Sequence, residues 1–277
     1  MNTIMYIKNK YNILLKSNNH ISLNKTYYGR KLDSTQRVFV KEYCKESLYK
    51  KEKIIYESIA KDNIIFNDYY KGKYILCLKY KDYKDFDWDD DADLALVAKK
   101  IALFHSKLDN ILIDKFKITS IYDLLENKYN KVANEVSDNI NILYNIFKDK
   151  KKNIQDEERQ LPFVLLHGDF SKRNIKRLNC NIELIDFERV YIHSAWCDFV
   201  KLFRNELKVP SKQAKFLSSY RLNKELKPIS ANLYNLFEFI ELLGIKYYTK
   251  KINSLTLMEI GTNIENDLKK YYNIANK

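Results

Sequence analysis

Three oxygen-bearing side chains in one stretch of the sequence have the types and spacing of a magnesium site. Asp169 follows the apolar run Phe163–Leu166, which predicts a buried strand, and Asn174 comes five residues later. If residues 179–181 form a three-residue hairpin loop, paired residue numbers sum to 360 and Asn174 faces Asp186. Carboxylate and carboxamide oxygens are the ligands that Mg²⁺ prefers in proteins. We therefore expect Asn174 and Asp186 to bind Mg²⁺ close to Asp169.

The order of these side chains is that of the catalytic loop in the protein-kinase-like fold. There an Asp is followed by four residues and an Asn, and a second Asp ends a later strand. Phosphoryl transfer needs a group that orients a hydroxyl and accepts its proton, and cations that neutralise the transferred group. Asp169 suits the first role. The alternative, that His167-Gly168-Asp169 is a plain turn, leaves the fitting positions of Asn174 and Asp186 unexplained.

The N-terminal part of the chain supplies a cation for a nucleotide. Val38–Lys41 is a strand pattern that ends in a lysine, the position from which a kinase lysine contacts the α- and β-phosphates. The helical pattern that follows carries Glu52, which could pair with Lys41 and hold its ammonium group in place. Glu46 and Glu57 on the same helix are alternatives for that pairing.

The elements around these residues change in character along the chain. Before residue 81, short β-branched and aromatic segments predict strands, and one helical pattern covers residues 45–62. The predicted strands are Ile21–Leu23, Thr26–Tyr28, Arg37–Lys41 and Tyr74–Tyr80. Later helical patterns cover residues 94–108, 119–149 and most of 211–275. A small sheet with one helix therefore precedes a mainly helical part.

Composition excludes several classes of protein. The 277 residues are 45% apolar, which is enough to bury a core, and no apolar run approaches the roughly 20 residues that cross a bilayer. The N-terminal residues lack the pattern of a signal peptide. The four cysteines are dispersed and form no CxxC pair, which argues against a zinc cluster. We expect a cytoplasmic protein without a membrane partner.

The charge is basic and unevenly distributed. The formal net charge is +13, and residues 1–80 contain 16 basic and 7 acidic side chains, whereas residues 81–95 contain 2 and 7. No dense basic block stands out, and the abundance of Lys, Asn, Ile and Tyr together is typical of AT-biased codon usage. A nucleic-acid partner is therefore disfavoured, and the change of charge marks a boundary near residue 80.

The sequence resembles the aminoglycoside phosphotransferase and choline kinase superfamily. HGDFSKRN at residues 167–174 matches the HGDxxxxN catalytic loop of that family. IDFE at residues 185–188 matches its IDFE or IDWE metal motif, and CDFVKLF at residues 197–203 matches the segment with its downstream Asp. The resemblance covers residues 20–205 and implies an α+β, bilobal protein-kinase-like fold. Its lobes would be a β-rich nucleotide-binding lobe, residues 1–80, and a mainly helical catalytic and substrate-binding lobe, residues 81–277.

The resemblance implies a role for each matching residue. Asp169 would be the catalytic base, and Asn174 and Asp186 would bind magnesium. Lys41 would contact nucleotide phosphate, and Glu52 would hold Lys41.

Two further residues are expected to support the catalytic loop. The resemblance implies that Asp198 braces this loop. His167 is expected to hydrogen-bond to backbone and hold the loop, without acting as an acid or base. His105, on an apolar helix face, is expected to be a core residue.

The nucleotide contacts are less clearly marked in the sequence. The segment Ser17–Asn24, at the position of the phosphate loop, contains no glycine. Leu76–Tyr80 resembles the hinge whose backbone groups meet adenine. ATP is the expected donor, and GTP is the alternative.

A hydroxyl of a small molecule is the expected acceptor. Gly168 stands where regulated protein kinases have an Arg, and only eleven residues separate Asp186 from Asp198, which leaves little room for a peptide platform. An aminoglycoside-type antibiotic is the first expectation, and a choline- or ethanolamine-type metabolite is the alternative. Aromatic candidates for a choline cage are Trp196, Tyr220, Tyr234 and Phe237.

Two questions have alternative answers: where the acidic residues within 87–93 lie, and whether the protein is an enzyme. The Asp cluster in residues 87–93 either faces an acceptor cleft or, as we favour, begins a helix at the positive end of its dipole. A catalytically silent kinase-like adaptor or nucleic-acid-binding protein is the alternative from another class. The intact set of catalytic residue types argues against it.

Overall fold

The computed structural model describes residues 2–18, 24–107, 110–116, 118–251 and 253–274. It contains two compact units, Met1–Asp85 with Lys176–Val190, and Phe86–Ile175 with Tyr191–Lys277. The first unit thus extends slightly beyond residue 80 and includes a segment from the middle of the chain. None of the described helices is long and apolar enough to cross a membrane.

The first third of the described chain contains five strands and two helices, and the rest is mainly helical. The strands are β1 Ile13–Ser17, β2 Lys25–Lys31, β3 Arg37–Tyr43, β4 Ile64–Tyr70, β5 Lys73–Lys79, β6 Phe163–Leu166, β7 Ile175–Leu178, β8 Asn181–Leu184 and β9 Tyr191–Ser194. The helices are α1 Thr3–Tyr11, α2 Glu46–Ile59, α3 Asp91–His105, α4 Asn110–Lys115, α5 Ile121–Tyr129, α6 Asp138–Asp149, α7 Lys151–Glu158, α8 Trp196–Asn205, α9 Pro210–Arg221, α10 Ala231–Thr249 and α11 Leu255–Tyr271.

The first unit is built on an antiparallel sheet with the strand order β1-β2-β3-β5-β4. Alternate residues of these strands, such as Val38 and Val40, are fully buried in one apolar cluster with Ile75. β3 is the central strand, and its register places Lys41 between Thr26 of β2 and Leu76 of β5. The backbone at Lys41 is therefore fixed by strand pairing on both sides.

Helix α2 packs against this sheet and against the segment that returns from the middle of the chain. Its buried residues Tyr49, Glu52, Ile55 and Tyr56 recur at helical spacing and define one face. β7 and β8 form a hairpin, and the 3₁₀ turn Phe187–Arg189 that follows contacts α2, where the Tyr56 and Phe187 rings meet edge to face. This packing brings Glu52 and the IDFE motif into one unit.

The structure contains some of the predicted strands, but its hairpin loop differs from the predicted one. Thr26–Tyr28 and Arg37–Lys41 lie within β2 and β3, while Ile21–Leu23 lies outside the described residues. β1 and β4 were not predicted. The prediction of a three-residue hairpin loop was wrong: the turn has two residues, Asn179 and Cys180, because Asn179 adopts a left-handed φ of 55° that allows a tighter turn.

The second unit consists mainly of packed helices around a two-stranded antiparallel sheet of β6 and β9. The helix predicted at 94–108 is α3, which Asp90 caps by accepting a hydrogen bond from the backbone N–H of Ala92. The helical pattern at 119–149 is divided between α5 and α6, and that at 211–275 among α9, α10 and α11. Strand β6 leads into the loop that contains Asp169.

Candidate functional site

The first unit contains a buried lysine surrounded by three carboxylates. The Nζ atom of Lys41 lies 2.8 Å from Glu52, 2.5 Å from Asp186 and 2.7 Å from Glu188, and Lys41 is 6% exposed. Strand β3 supplies the lysine, α2 supplies Glu52, and the segment after β8 supplies the other two. The cluster contains three carboxylates and one ammonium group, and surplus carboxylates of this kind can bind a further cation.

Mutual attraction keeps Lys41 charged in spite of its burial. Burial alone would lower the pKa of Lys41, but Glu52, Asp186 and Glu188 raise it above its usual value. Burial raises the pKa of Glu52 to about 7, although Lys41 opposes this shift. The Tyr43 hydroxyl also donates a hydrogen bond of 2.7 Å to Glu52. Lys41 is therefore a fixed cation at neutral pH.

Glu52 is the helix glutamate that contacts Lys41. The two alternatives lie elsewhere on α2, where Glu46 pairs with Lys50 and Glu57 with Lys53. This difference follows from helical geometry, because Glu52 lies on the buried face of α2 and the others do not.

Glu188 is a member of the site for which sequence reasoning gave no role. Besides Lys41, it contacts Asn24, whose Nδ2 donates a hydrogen bond of 2.5 Å. The signal was present in the IDFE motif, where a second carboxylate follows Asp186 by two residues.

The carboxylates of this cluster fit a divalent cation. One oxygen each of Glu52, Asp186 and Glu188 can be chosen so that all three atoms lie within 4.8 Å of one another. These are hard oxygen ligands of the kind that Mg²⁺ prefers. Asp186 has a left-handed backbone with φ 67°, a conformation uncommon outside glycine, which is typical of residues held in place at functional sites.

The second unit contains the loop with Asp169, which follows β6. Gly168 has φ 73°, a conformation that favours glycine, and this turn leaves Asp169 only 2% exposed. The Asn174 side chain donates a hydrogen bond of 2.9 Å to the backbone oxygen of Asp169. Two cations contact the carboxylate: Arg173 at 2.5 Å and Lys201. Sequence reasoning singled out neither cation, because no motif marks them.

Asp198 holds this loop through hydrogen bonds to its backbone. It accepts from the backbone N–H groups of His167 at 2.8 Å and Gly168 at 3.0 Å. His105 contacts Asp198 through Nε2 at 3.2 Å and the Tyr220 hydroxyl through Nδ1 at 2.9 Å. Burial lowers the pKa of His105, so its imidazole is neutral at pH 7 and donates through Nε2. His105 therefore orients Asp198 from the core.

We predict that Asp198→Ala destabilises the protein strongly. The substitution leaves two backbone N–H groups and the His105 N–H without their acceptor in the core, so we expect a loss of roughly 3 to 5 kcal/mol in the free energy of unfolding. Urea denaturation followed by circular dichroism measures this loss. Asp156→Ala, which removes a carboxylate from an exposed ion pair with Arg159, serves as the control. Equal midpoints for the two variants would contradict the bracing role.

The acidic stretch at the start of α3 forms ion pairs with helix α9. Asp89 pairs with Lys212 and Asp91 with Lys215, both on α9. Asp93 accepts a hydrogen bond from the backbone N–H of Asp87. These contacts, with the cap at Asp90, support the reading of the stretch as a helix start.

A cavity of about 520 Å³ opens among α8, α9, α10 and α11. Its lining residues are Phe203, Arg204, Lys208, Gln213, Tyr234, Glu238, Ile260, Asn263, Asn266 and Asp267. Arg204 binds both oxygens of Glu238 at 2.6 Å and one of Asp267 at 2.6 Å. Arg204 lies three residues after Lys201 on α8, so the two share a helix face. The cavity is therefore within about one helical turn of a residue that contacts Asp169.

The aromatic candidates for a choline cage do not line one cavity together. Tyr234 lines the cavity, whereas the Tyr220 hydroxyl contacts His105 and the Trp196 Nε1 donates to the backbone oxygen of Lys227. His193 pairs with Glu158 at 2.9 Å in the core.

Comparisons with known proteins agree on the fold. The model of the phosphotransferase enzyme family matches residues 81–220, and no curated protein sequence matches the chain. A choline kinase, LicA from Streptococcus pneumoniae, is similar with a TM-score of 0.70 and 14% identity, covering 96% of this chain and 95% of that one. An ethanolamine kinase from Plasmodium vivax has a TM-score of 0.65 and 15% identity, covering 95% and 85%.

A third similar structure is a spectinomycin phosphotransferase in complex with ADP and spectinomycin. Its TM-score is 0.58 at 13% identity, and the match covers 95% of this chain and 97% of that one. The predicted α+β kinase-like fold class is confirmed by these similarities.

Proposed function

Because this chain belongs to the phosphotransferase enzyme family, we propose that it transfers the γ-phosphoryl group of Mg²⁺-bound ATP to a hydroxyl of a small molecule. The observation that carries the nucleotide part is the buried contact of Lys41 with Glu52 and Asp186. A lysine fixed by a helix glutamate is the cation that kinase-like enzymes direct at the α- and β-phosphates. GTP is the alternative donor.

Each of the proposed site residues has a role in this reaction. The acceptor oxygen forms a bond to the γ-phosphorus, the bond from that phosphorus to the β–γ bridging oxygen breaks, and ADP leaves. Asp169 orients the acceptor hydroxyl and takes its proton. Asn174 and Asp186 would hold a magnesium ion, which would neutralise charge on the phosphates. Lys41 contacts the phosphates.

We propose the cavity lined by Arg204 and Glu238 as the acceptor site. Its carboxylates, amides and aromatic rings suit a molecule that carries both hydroxyl and amino groups. An aminoglycoside-type antibiotic or related metabolite is the first candidate, and a structural neighbour in complex with ADP and spectinomycin supports it. The rings of Phe203 and Tyr234 favour a choline- or ethanolamine-type metabolite as the second candidate. The reaction is expected in the cytoplasm, where ATP is available.

We predict that a non-hydrolysable ATP analogue stabilises the protein only when Mg²⁺ is present. At a ligand concentration a hundredfold above Kd, the stabilisation is about 2.7 kcal/mol, which a thermal unfolding scan detects readily. Lys41→Met should lose most of this shift, whereas Lys50→Met, from an exposed pair on α2, should keep it. No shift with any nucleotide, together with steeply salt-dependent binding to oligonucleotides, would favour the adaptor alternative.

The acceptor is then identified by ADP release against a panel of hydroxyl compounds. The panel contains aminoglycosides, macrolides, choline, ethanolamine, thiamine and sugars. Release that depends on one of these compounds, and product analysis by mass spectrometry, would assign the substrate.

A further inference from the structure

The two oxygens of the Asp169 carboxylate are each contacted by a different cation. Lys201 Nζ contacts Oδ1, and Arg173 Nη2 lies 2.5 Å from Oδ2. The Asp169 side chain is only 3% exposed with these cations in contact. An acceptor hydroxyl must donate to one of these oxygens. Because so little of the Asp169 side chain is exposed, the hydroxyl reaches that oxygen when the cation beside it moves aside.

The two cations differ in how firmly they are held. The Arg173 side chain is 65% exposed and belongs to the same short loop as Asp169, four residues later. The Lys201 side chain is 19% exposed and belongs to α8, whose first turn contains Asp198. Since Asp198 binds the backbone of His167 and Gly168, α8 and the loop form one connected structure. Arg173 can turn into water at small cost, whereas Lys201 stays with the loop.

We propose that Lys201 is a positioning residue that holds Asp169 through Oδ1 and so presents Oδ2 to the acceptor hydroxyl. Arg173 covers Oδ2 until the acceptor displaces it. This inference rests on the proposed function, because it assigns Asp169 to the acceptor. It agrees with the position of Arg204, which lines the cavity from the same face of α8 as Lys201.

The proposal predicts opposite effects for the two cations. Lys201→Met frees the carboxylate to turn, and a misplaced reacting group costs about 100-fold in rate, so kcat should fall by that factor while KM for ATP stays the same. Lys201→Arg keeps a cation on Oδ1 and should restore most of the activity. Arg173→Met removes the group that competes with the acceptor, so KM for the acceptor should fall.

ADP release measures these effects with the acceptor that the panel identifies. The matched control is Lys215→Met, which makes the same change in an exposed ion pair with Asp91 on the same unit and should behave as the wild type. Wild-type kcat in Lys201→Met would overturn the proposal, as would a loss that Lys201→Arg does not restore. A higher acceptor KM in Arg173→Met would overturn the assignment of Oδ2.

A second measurement does not depend on turnover. In a ¹H–¹⁵N correlation spectrum of lysine side chains, an ammonium group held in an ion pair exchanges slowly enough to be seen. The Lys201 signal, assigned by its absence in Lys201→Met, should be present in the wild type and lost in Asp169→Asn. Absence of the signal in the wild type would overturn the contact itself. A wild type with this signal but without ADP release on any acceptor would instead refute the proposed function, and the role of Lys201 with it.

Discussion

Asp169→Asn is expected to abolish turnover while leaving the affinity for Mg²⁺-bound ATP nearly intact. Asparagine has the size of aspartate and can still orient a hydroxyl, but its amide cannot take up the proton. Loss of a general base lowers rates by about 10²- to 10⁴-fold, so kcat should fall at least into this range. Nucleotide affinity should persist because Lys41 and its carboxylates belong to the other compact unit and keep all their contacts.

Two measurements on the same preparation separate these effects. Single-turnover ADP formation reports the chemical step, and calorimetric titration with the ATP analogue reports binding. Asp156→Asn makes the same chemical change in an exposed ion pair and should alter neither quantity. If Asp169→Asn retained wild-type turnover on an identified acceptor, the assignment of the base would be wrong.

The contact between Lys41 and Glu52 could be predicted because it depends on regular local structure. The strand pattern at Val38–Lys41 places the lysine on a central strand, and helical spacing places Glu52 rather than Glu46 or Glu57 on the buried face of α2. Asp198 was predicted from a motif, and its contacts with two backbone N–H groups follow from the loop geometry that Gly168 allows. These contacts could thus be predicted from residue spacing and from the backbone conformation that glycine allows.

Other parts of the site depend on tertiary contacts that leave no local pattern. Arg173 and Lys201 are two of 49 basic residues, and only folding brings them to opposite oxygens of Asp169. Strand β4 was not predicted because its residues Asn67 and Asp68 are polar, and its pairing with β5 outweighs their low strand propensity. Residues 176–190 join the first unit although they lie far away in sequence, which composition does not reveal.

Asp186→Ala is expected to weaken the Mg²⁺-dependent binding of nucleotide. Lys41 keeps Glu52 and Glu188 as partners after this change, so it can still contact phosphate. The lost carboxylate is a proposed magnesium ligand. Loss of an outer-shell partner alone costs roughly 10- to 100-fold in metal affinity, so loss of a direct ligand should cost at least that much.

Calorimetric titration of the ATP analogue with and without Mg²⁺ measures this difference. Asp186→Asn removes the negative charge and keeps the backbone conformation, because asparagine also tolerates the left-handed φ of 67° that Asp186 adopts. It should weaken the Mg²⁺ dependence without loss of thermal stability. Glu183→Ala, from the same hairpin, removes a carboxylate that pairs with Lys81 and serves as the control. Unchanged Mg²⁺ dependence in both Asp186 variants would move the metal to Glu52 and Glu188, the remaining carboxylates around Lys41.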